Sequence, residues 1–180
     1  FQEDIFKFEL QKINKSPSRF DEVKLLNINS TFLKQADLSY LVSKIVKDKN
    51  LKNKKLITNL SYFLPELVKR YKLLNEIDHD LYWMSDEFFI KKKKCPIELK
   101  DKNNIKTLEQ IFQILSACDW ELNNIKNSIS IFIKNNNLMM KDVAPLIRLA
   151  ITGKLNTPDI FNILYMLGKE ICLNRLKKCL

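Results

Sequence analysis

Apolar residues recur along this chain at the three- and four-residue intervals that place them on one face of a helix. Leu38, Leu41, Val42 and Ile45 form one stripe, and Leu56, Leu60, Phe63, Leu64 and Leu67 form the next. Pro65 interrupts that run and is predicted to sit in the first turn of a following helix carrying Leu67, Tyr71, Leu74 and Ile77. Thr107 with Gln110 reads as a capping box opening the Leu108, Ile111, Phe112, Leu115 stripe. Asp119 is expected to cap a helix with Leu122, Ile125, Ile129 and Phe132 inward. Val143, Ile147, Ala150 and Ile151 follow, with Gly153 as a left-handed C-terminal cap. Thr157-Pro158 then reads as an N-cap and first helical residue, leading into Ile160, Leu164, Leu167 and Ile171, with Leu173, Leu176 and Leu180 beyond. No two-residue alternation competes, so the expected fold class is all-α.

Composition narrows the chemistry. Of 180 residues, 46% are hydrophobic, enough for a packed core. Two glycines, Gly153 and Gly168, exclude Gly-rich phosphate loops and dinucleotide fingerprints. No apolar run is long enough to span a membrane. The chain opens on Phe1 without a signal-peptide pattern, which suggests a piece of something longer. Cys95, Cys118, Cys172 and Cys179 lack paired spacing and His79 is the single histidine, so a structural zinc site is not expected. Cys172 and Cys179, read as sharing one helix, stand too far apart for a disulfide. Reduced, buried thiols and a cytoplasmic protein are the expectation. His79 reads as a surface residue between Asp78 and Asp80, and the acidic pairs Asp78/Asp80 and Asp86/Glu87 as solvated charges.

The charge points outward. A net +10 favours a polyanionic partner. The run Lys91-Lys92-Lys93-Lys94, followed by Cys95-Pro96 and polar residues to Lys106, marks the expected boundary between two groups of helices. It reads either as a solvated linker or as a contact to a phosphate backbone. Among the 31 basic residues just four are arginines, Arg19, Arg70, Arg148 and Arg175. Against so lysine-rich a background, a retained guanidinium suggests a need for its planar donor fork. Arg148 shares a helical row with Ala144 and Thr152, leading to Gly153 and the Thr157-Pro158 helix start. Open N–H groups there, with a hydroxyl and an arginine, would suit a phosphate or a base edge. The plainer alternative is that Arg148 and Arg175 form internal salt bridges.

The same residues carry a resemblance. Ile147-Arg148-Leu149-Ala150-Ile151-Thr152-Gly153, Thr157-Pro158-Asp159-Ile160-Phe161, Leu167-Gly168-Lys169-Glu170 and Arg175-Leu176 resemble the carboxy-terminal end of bacterial glutamyl-tRNA synthetases. That family reads approximately PLRxALTG, (S/T)PGxF, LLGKE and RL. Phe20-Asp21-Glu22-Val23-Lys24-Leu25 with Asn29 is similar to its FDxxKLxWxN segment, Arg70 through Glu76 to its RxxTLxE helix, and Asp119-Trp120 to its acid–Trp pair. Asn27 stands where the family usually has Trp, Phe32 where it has Tyr, Pro145-Leu146 where it has Gln-Pro, and Asp159 where it has Gly.

The resemblance implies the anticodon-binding part of a class I glutamate–tRNA ligase, with two stacked helical subdomains forming a cage. Residues 1–34 would end a preceding stem-contact domain, and 35–100 and 101–180 would be the two subdomains. The catalytic domain would lie elsewhere, so this chain would hold no cofactor; ATP and Mg would serve the parent enzyme. The implied partner is tRNA(Glu), with tRNA(Gln) a second candidate; neither DNA nor membrane is implied, and the chain is expected to be a monomer. Arg70 matches the position that reads the third anticodon base. Arg148, Leu155, Thr157, Pro158, Ile160 and Phe161 match positions near the first two. The helical cage of a class I lysyl-tRNA synthetase, or a basic all-α protein-interaction module, are the competing readings.

Overall fold

The structure, a computed structural model, describes residues 20–85 and 101–180. The Lys91–Lys94 run, Cys95, the Asp86/Glu87 pair, Arg19 and most of the expected boundary therefore lie outside the described residues. Within them, nine α-helices and one 3₁₀ turn make an all-α fold. These are α1 (Glu22–Gln35), α2 (Leu38–Asp48), α3 (Lys54–Leu67), α4 (Asp78–Met84), α5 (Lys102–Ala117), α6 (Leu122–Asn135), α7 (Met140–Thr152), α8 (Ile160–Leu167) and α9 (Lys169–Lys177), with the 3₁₀ turn over Leu74–Ile77. None of them is long and apolar enough to cross a membrane.

Short acids and amides start five of these helices by accepting from the first free N–H groups, Asp159 of α8 among them. Asp21 accepts from Lys24 N, Asp37 from Tyr40 N, Asn53 from Leu56 N and Asp101 from Asn103 N. Asp101 overrides the expected capping box. α5 begins at Lys102, and Thr107 lies inside it, its hydroxyl donating to the Asn103 carbonyl at 2.9 Å. Asp119 likewise does not cap α6, whose N-cap is Glu121; the Asp119 carbonyl instead accepts from Glu121 N at 2.8 Å.

Pro65 corrects another expectation, because it sits inside α3 rather than at the start of a new helix. It cannot donate to the Ser61 carbonyl. Ser61 is exposed, so water can meet that carbonyl, and burial of Leu60, Phe63, Leu64 and Leu67 keeps the last turn helical. Beyond Val68 the chain leaves the α-helical hydrogen-bond pattern, Arg70 N donating to the Leu67 carbonyl at 2.9 Å. Glu76 Oε1 accepts from Lys72 N (3.1 Å) and Leu73 N (2.9 Å), Ser30 Oγ donates to the Tyr71 carbonyl (3.0 Å), and Asn29 donates to the Lys72 carbonyl. Side chains thus take up main-chain groups that a helix would have used. Tyr71 and Ile77 are buried as their spacing predicted, but on a turn.

Gly153 closes α7 at φ 72°, donating to the Leu149 carbonyl, as expected. Gly168, at φ 89°, divides the anticipated long C-terminal stripe into α8 and α9. Cys179 consequently falls beyond the end of α9 rather than sharing a helix with Cys172. Cys118, Cys172 and Cys179 form no disulfide. Full burial pushes the Cys172 thiol up to about 12, so it stays protonated at neutral pH.

Packing runs α2 on α3 and α3 on α4 in a first group, with α5 through α9 packed together in a second; α4 joins them by lying against α7. Phe63 and Trp83 meet edge-on at 5.3 Å beneath that junction. Trp120 Nε1 donates to the Leu164 carbonyl (3.2 Å) and Lys169 Nζ to the Cys118 carbonyl (2.9 Å), fastening α8 and α9 to the α5–α6 corner. Arg175 of α9 is fully buried and ties the two groups together. Its Nη1 donates to the carbonyls of Trp83 and Ile151, both at 2.8 Å, and its Nη2 to that of Ser85 at 2.9 Å. These carbonyls lie at the C-terminal ends of α4 and α7, where the helix dipoles favour a cation.

Replacing Arg175 with Met would strip the donor from two buried carbonyls, of Trp83 and Ile151, and from the part-buried carbonyl of Ser85, a buried one costing about 1–3 kcal/mol when left unsatisfied. The expected loss in urea unfolding followed by circular dichroism is about 3 kcal/mol or more; a loss below about 1 kcal/mol would contradict this assignment.

Candidate nucleic-acid interface

Arg70 projects from the turn that ends α3, one residue before the buried Tyr71. Its side chain is exposed and held on two sides: Nη2 pairs with Glu66 Oε1 at 2.7 Å, and Nη1 donates to Asn156 Oδ1 at 3.4 Å. Asn156 belongs to the loop between α7 and α8, so Arg70 and the Gly153–Asp159 segment, 86 residues apart in sequence, come together.

That loop is shaped by its own polar groups. The Thr152 hydroxyl donates to the Arg148 carbonyl (2.8 Å) and accepts from Lys154 N (3.1 Å). Lys154 Nζ then reaches across to Asp80 Oδ1 at 3.0 Å. Asp80 is buried and also accepts from the Tyr71 hydroxyl (2.6 Å) and Trp83 Nε1 (2.8 Å). Burial, reinforced by this bond to Asp80, holds the Tyr71 hydroxyl far above the usual phenol range and keeps it a donor. Asp80 is therefore not the solvated acid that its sequence neighbourhood suggested. Arg70, Tyr71, His79, Asp80, Lys154 and Asn156 all line one cleft of about 220 Å³. His79 is exposed at its rim, and among the described residues no group of His, Cys, Asp or Glu is placed to hold a metal.

The remaining residues singled out from sequence separate into exposed and buried sets. Leu155 is 59% exposed. Phe161 is half-buried, with the Lys126 ammonium 5.9 Å from its ring centre. Thr157 and Pro158 are buried, the threonine hydroxyl donating to the Pro158 carbonyl (3.2 Å), and Ile160 is a core residue. The N-cap of α8 is Asp159, not Thr157, and its carboxylate accepts from Phe161 N and Asn162 N. The helix start expected to offer open N–H groups to a phosphate is thus already occupied by the chain's own anion. Arg148 is half-buried, and its Nε has no hydrogen-bond partner among the described residues. The internal salt bridge considered for it is not formed there.

Sequence reasoning missed Glu66, Asp80 and Asn156. One signal was available for Asp80: it occupies the row of Ile77 and Met84, an acid within an apolar stripe. Such a carboxylate must find donors on folding.

The fold thus brings an arginine and a mostly polar loop carrying the exposed Leu155 beside one cleft. The sequence profile described as the anticodon binding domain matches residues 57–180, and this chain belongs to that family. It is 30% identical over 185 residues to glutamate–tRNA ligase 2 of Bartonella quintana, an alignment covering 96% of this chain and 38% of that protein. It is 29% identical over 170 residues to glutamate–tRNA ligase 2 of Wolbachia pipientis, covering 94% and 37%. The solved glutamate tRNA ligase of Elizabethkingia meningosepticum shares the fold with a TM-score of 0.75 at 20% identity, covering 96% of this chain and 34% of that one. This chain therefore spans little more than a third of the length of the relatives it matches.

Removing the Asp80 carboxylate should loosen the cleft. Asp80→Ala leaves a buried phenol, an indole N–H and an ammonium without their acceptor, an expected cost of about 2–4 kcal/mol in thermal or urea unfolding. An unchanged midpoint would show that these three donors are satisfied without Asp80.

Proposed function

We propose that this chain is the anticodon-recognition part of a glutamate–tRNA ligase and binds tRNA(Glu). The observation that carries the reading is the meeting of Arg70 with the Gly153–Asp159 loop in a chain of the anticodon binding domain family. Splayed-out anticodon bases are recognised by stacking on apolar or aromatic surface and by hydrogen bonds along their pairing edges. Leu155 and Phe161 offer the apolar surface, while Arg70 and Arg148 offer donor forks. Thr157, Pro158 and Ile160 act from beneath, by holding the loop and the start of α8 in shape. The excess of basic residues supplies the general attraction to the RNA backbone.

In this reading the longer protein attaches glutamate to tRNA in an ATP-dependent reaction, with ATP and Mg bound in its other part and none needed here. The subdomain limits near residues 35 and 101, action as a monomer and a cytoplasmic setting belong to the same proposal.

Arg70 gives the reading a chemical test. Glutamate anticodons end in C and glutamine anticodons in G. Cytosine presents two adjacent acceptors, O2 and N3, which a guanidinium can meet with two N–H donors. Guanine presents N1–H and N2–H, which would face donors with donors. A good bidentate contact contributes about 1–3 kcal/mol of discrimination, roughly fivefold to 150-fold in affinity. Arg70→Gln in the full ligase is expected to lose most of the preference for C over G, measured by titrating two tRNAs that differ at that base alone. Wild-type selectivity in the variant would make Arg70 a structural arginine.

A further inference from the structure

Arg70 is a long side chain on a turn, and reading a base edge requires its fork to lie in one plane. Glu66 fixes one terminal nitrogen from within the same segment, at 2.7 Å, which leaves the guanidinium free to swing about that bond. Asn156 takes the other terminal nitrogen from the opposite group of helices, and two anchors on different nitrogens define the plane. A guanidinium has five N–H donors. One spent on Glu66 and one on Asn156 leave enough for the two acceptors of a cytosine.

Asn156 stands where it does because its loop is tied down. Lys154, two residues earlier, is paired to Asp80; Asp80 accepts from the hydroxyl of Tyr71, and Tyr71 is the neighbour of Arg70 in the chain. The links Arg70–Tyr71–Asp80–Lys154–Asn156–Arg70 therefore close a ring across the two groups of helices. We infer that Asn156 is a positioning residue for Arg70 and that the Lys154–Asp80 ion pair sets it in place, so selectivity for the third anticodon base depends on a contact between the two halves. This rests on the anticodon reading above and adds to it the residues that aim Arg70.

The test uses the 180-residue chain and two RNA anticodon stem-loops differing only by C or G at the third anticodon base, followed by fluorescence anisotropy. The wild type is expected to favour C. Asn156→Leu should lower the ratio of the two affinities at least threefold while its melting temperature stays within about 2 °C of wild type, as for an exposed residue. Lys154→Met should lower the ratio in the same direction. Asn156→Asp keeps an acceptor for Arg70, so it should weaken both complexes through its charge yet preserve the ratio. A wild type that favours C combined with an unchanged ratio in Asn156→Leu, or with Asn156→Asp losing the ratio as fully as Asn156→Leu, would overturn the positioning role alone. A wild type that binds both stem-loops equally would overturn this inference and leave the anticodon reading standing, whereas one that binds neither would overturn the two together.

Discussion

A carboxylate taken out of water must have its lone pairs met, and the way Asp80 meets that demand organises the rest of the molecule. Its donors come from three places: the turn after α3 through Tyr71, its own helix through Trp83, and the α7–α8 loop through Lys154. Satisfying one acid therefore requires the two groups of helices to approach in one register. Arg175 enforces the same approach from the other side, with a buried cation on the carbonyl ends of α4 and α7. Each group is costly to leave unpaired, so neither half can shift far without exposing the chain to a large penalty.

That constraint explains how a site can be assembled from residues so distant in sequence. Arg70 leaves one half and Leu155, Asn156 and Phe161 leave the other, and a cleft of about 220 Å³ lies beside their meeting point. The loop offers little regular structure of its own. Its shape comes from the Gly153 cap, the Thr152 hydroxyl, the buried Thr157-Pro158 pair and the Asp159 cap on α8. A precise presentation of exposed side chains follows from anchoring the loop at both ends and in the middle.

Much of the fold was legible because helix burial follows spacing. The stripes at Leu41/Ile45, Leu60/Phe63/Leu64, Leu108/Ile111/Leu115 and Ile125/Ile129/Phe132 all face the core, and Gly153 caps α7 as read. Helix starts were legible less often, since more than one residue near each start has a side chain able to cap. Asp101 won over Thr107 and Asp159 over Thr157, each time the acid. The turn at Arg70–Leu73 was hidden because its main-chain partners, Ser30 and Glu76, are chosen by tertiary approach. The site divided in the same way. Arg70 and Arg148 stood out through their rarity and the family resemblance, whereas Glu66, Asp80 and Asn156 are ordinary polar residues whose roles exist only once the two halves meet.

The central claim is that residues of both halves read one RNA segment as a single surface. Nuclear magnetic resonance titration of the labelled chain with an anticodon stem-loop of glutamate tRNA tests it most directly. Amide and guanidinium signals of Arg70, Leu155, Asn156 and Phe161 should shift together with one midpoint, because the same ligand touches both sides of the cleft. Shifts confined to one half, or spread over exposed lysines with no change at Arg70, would contradict it.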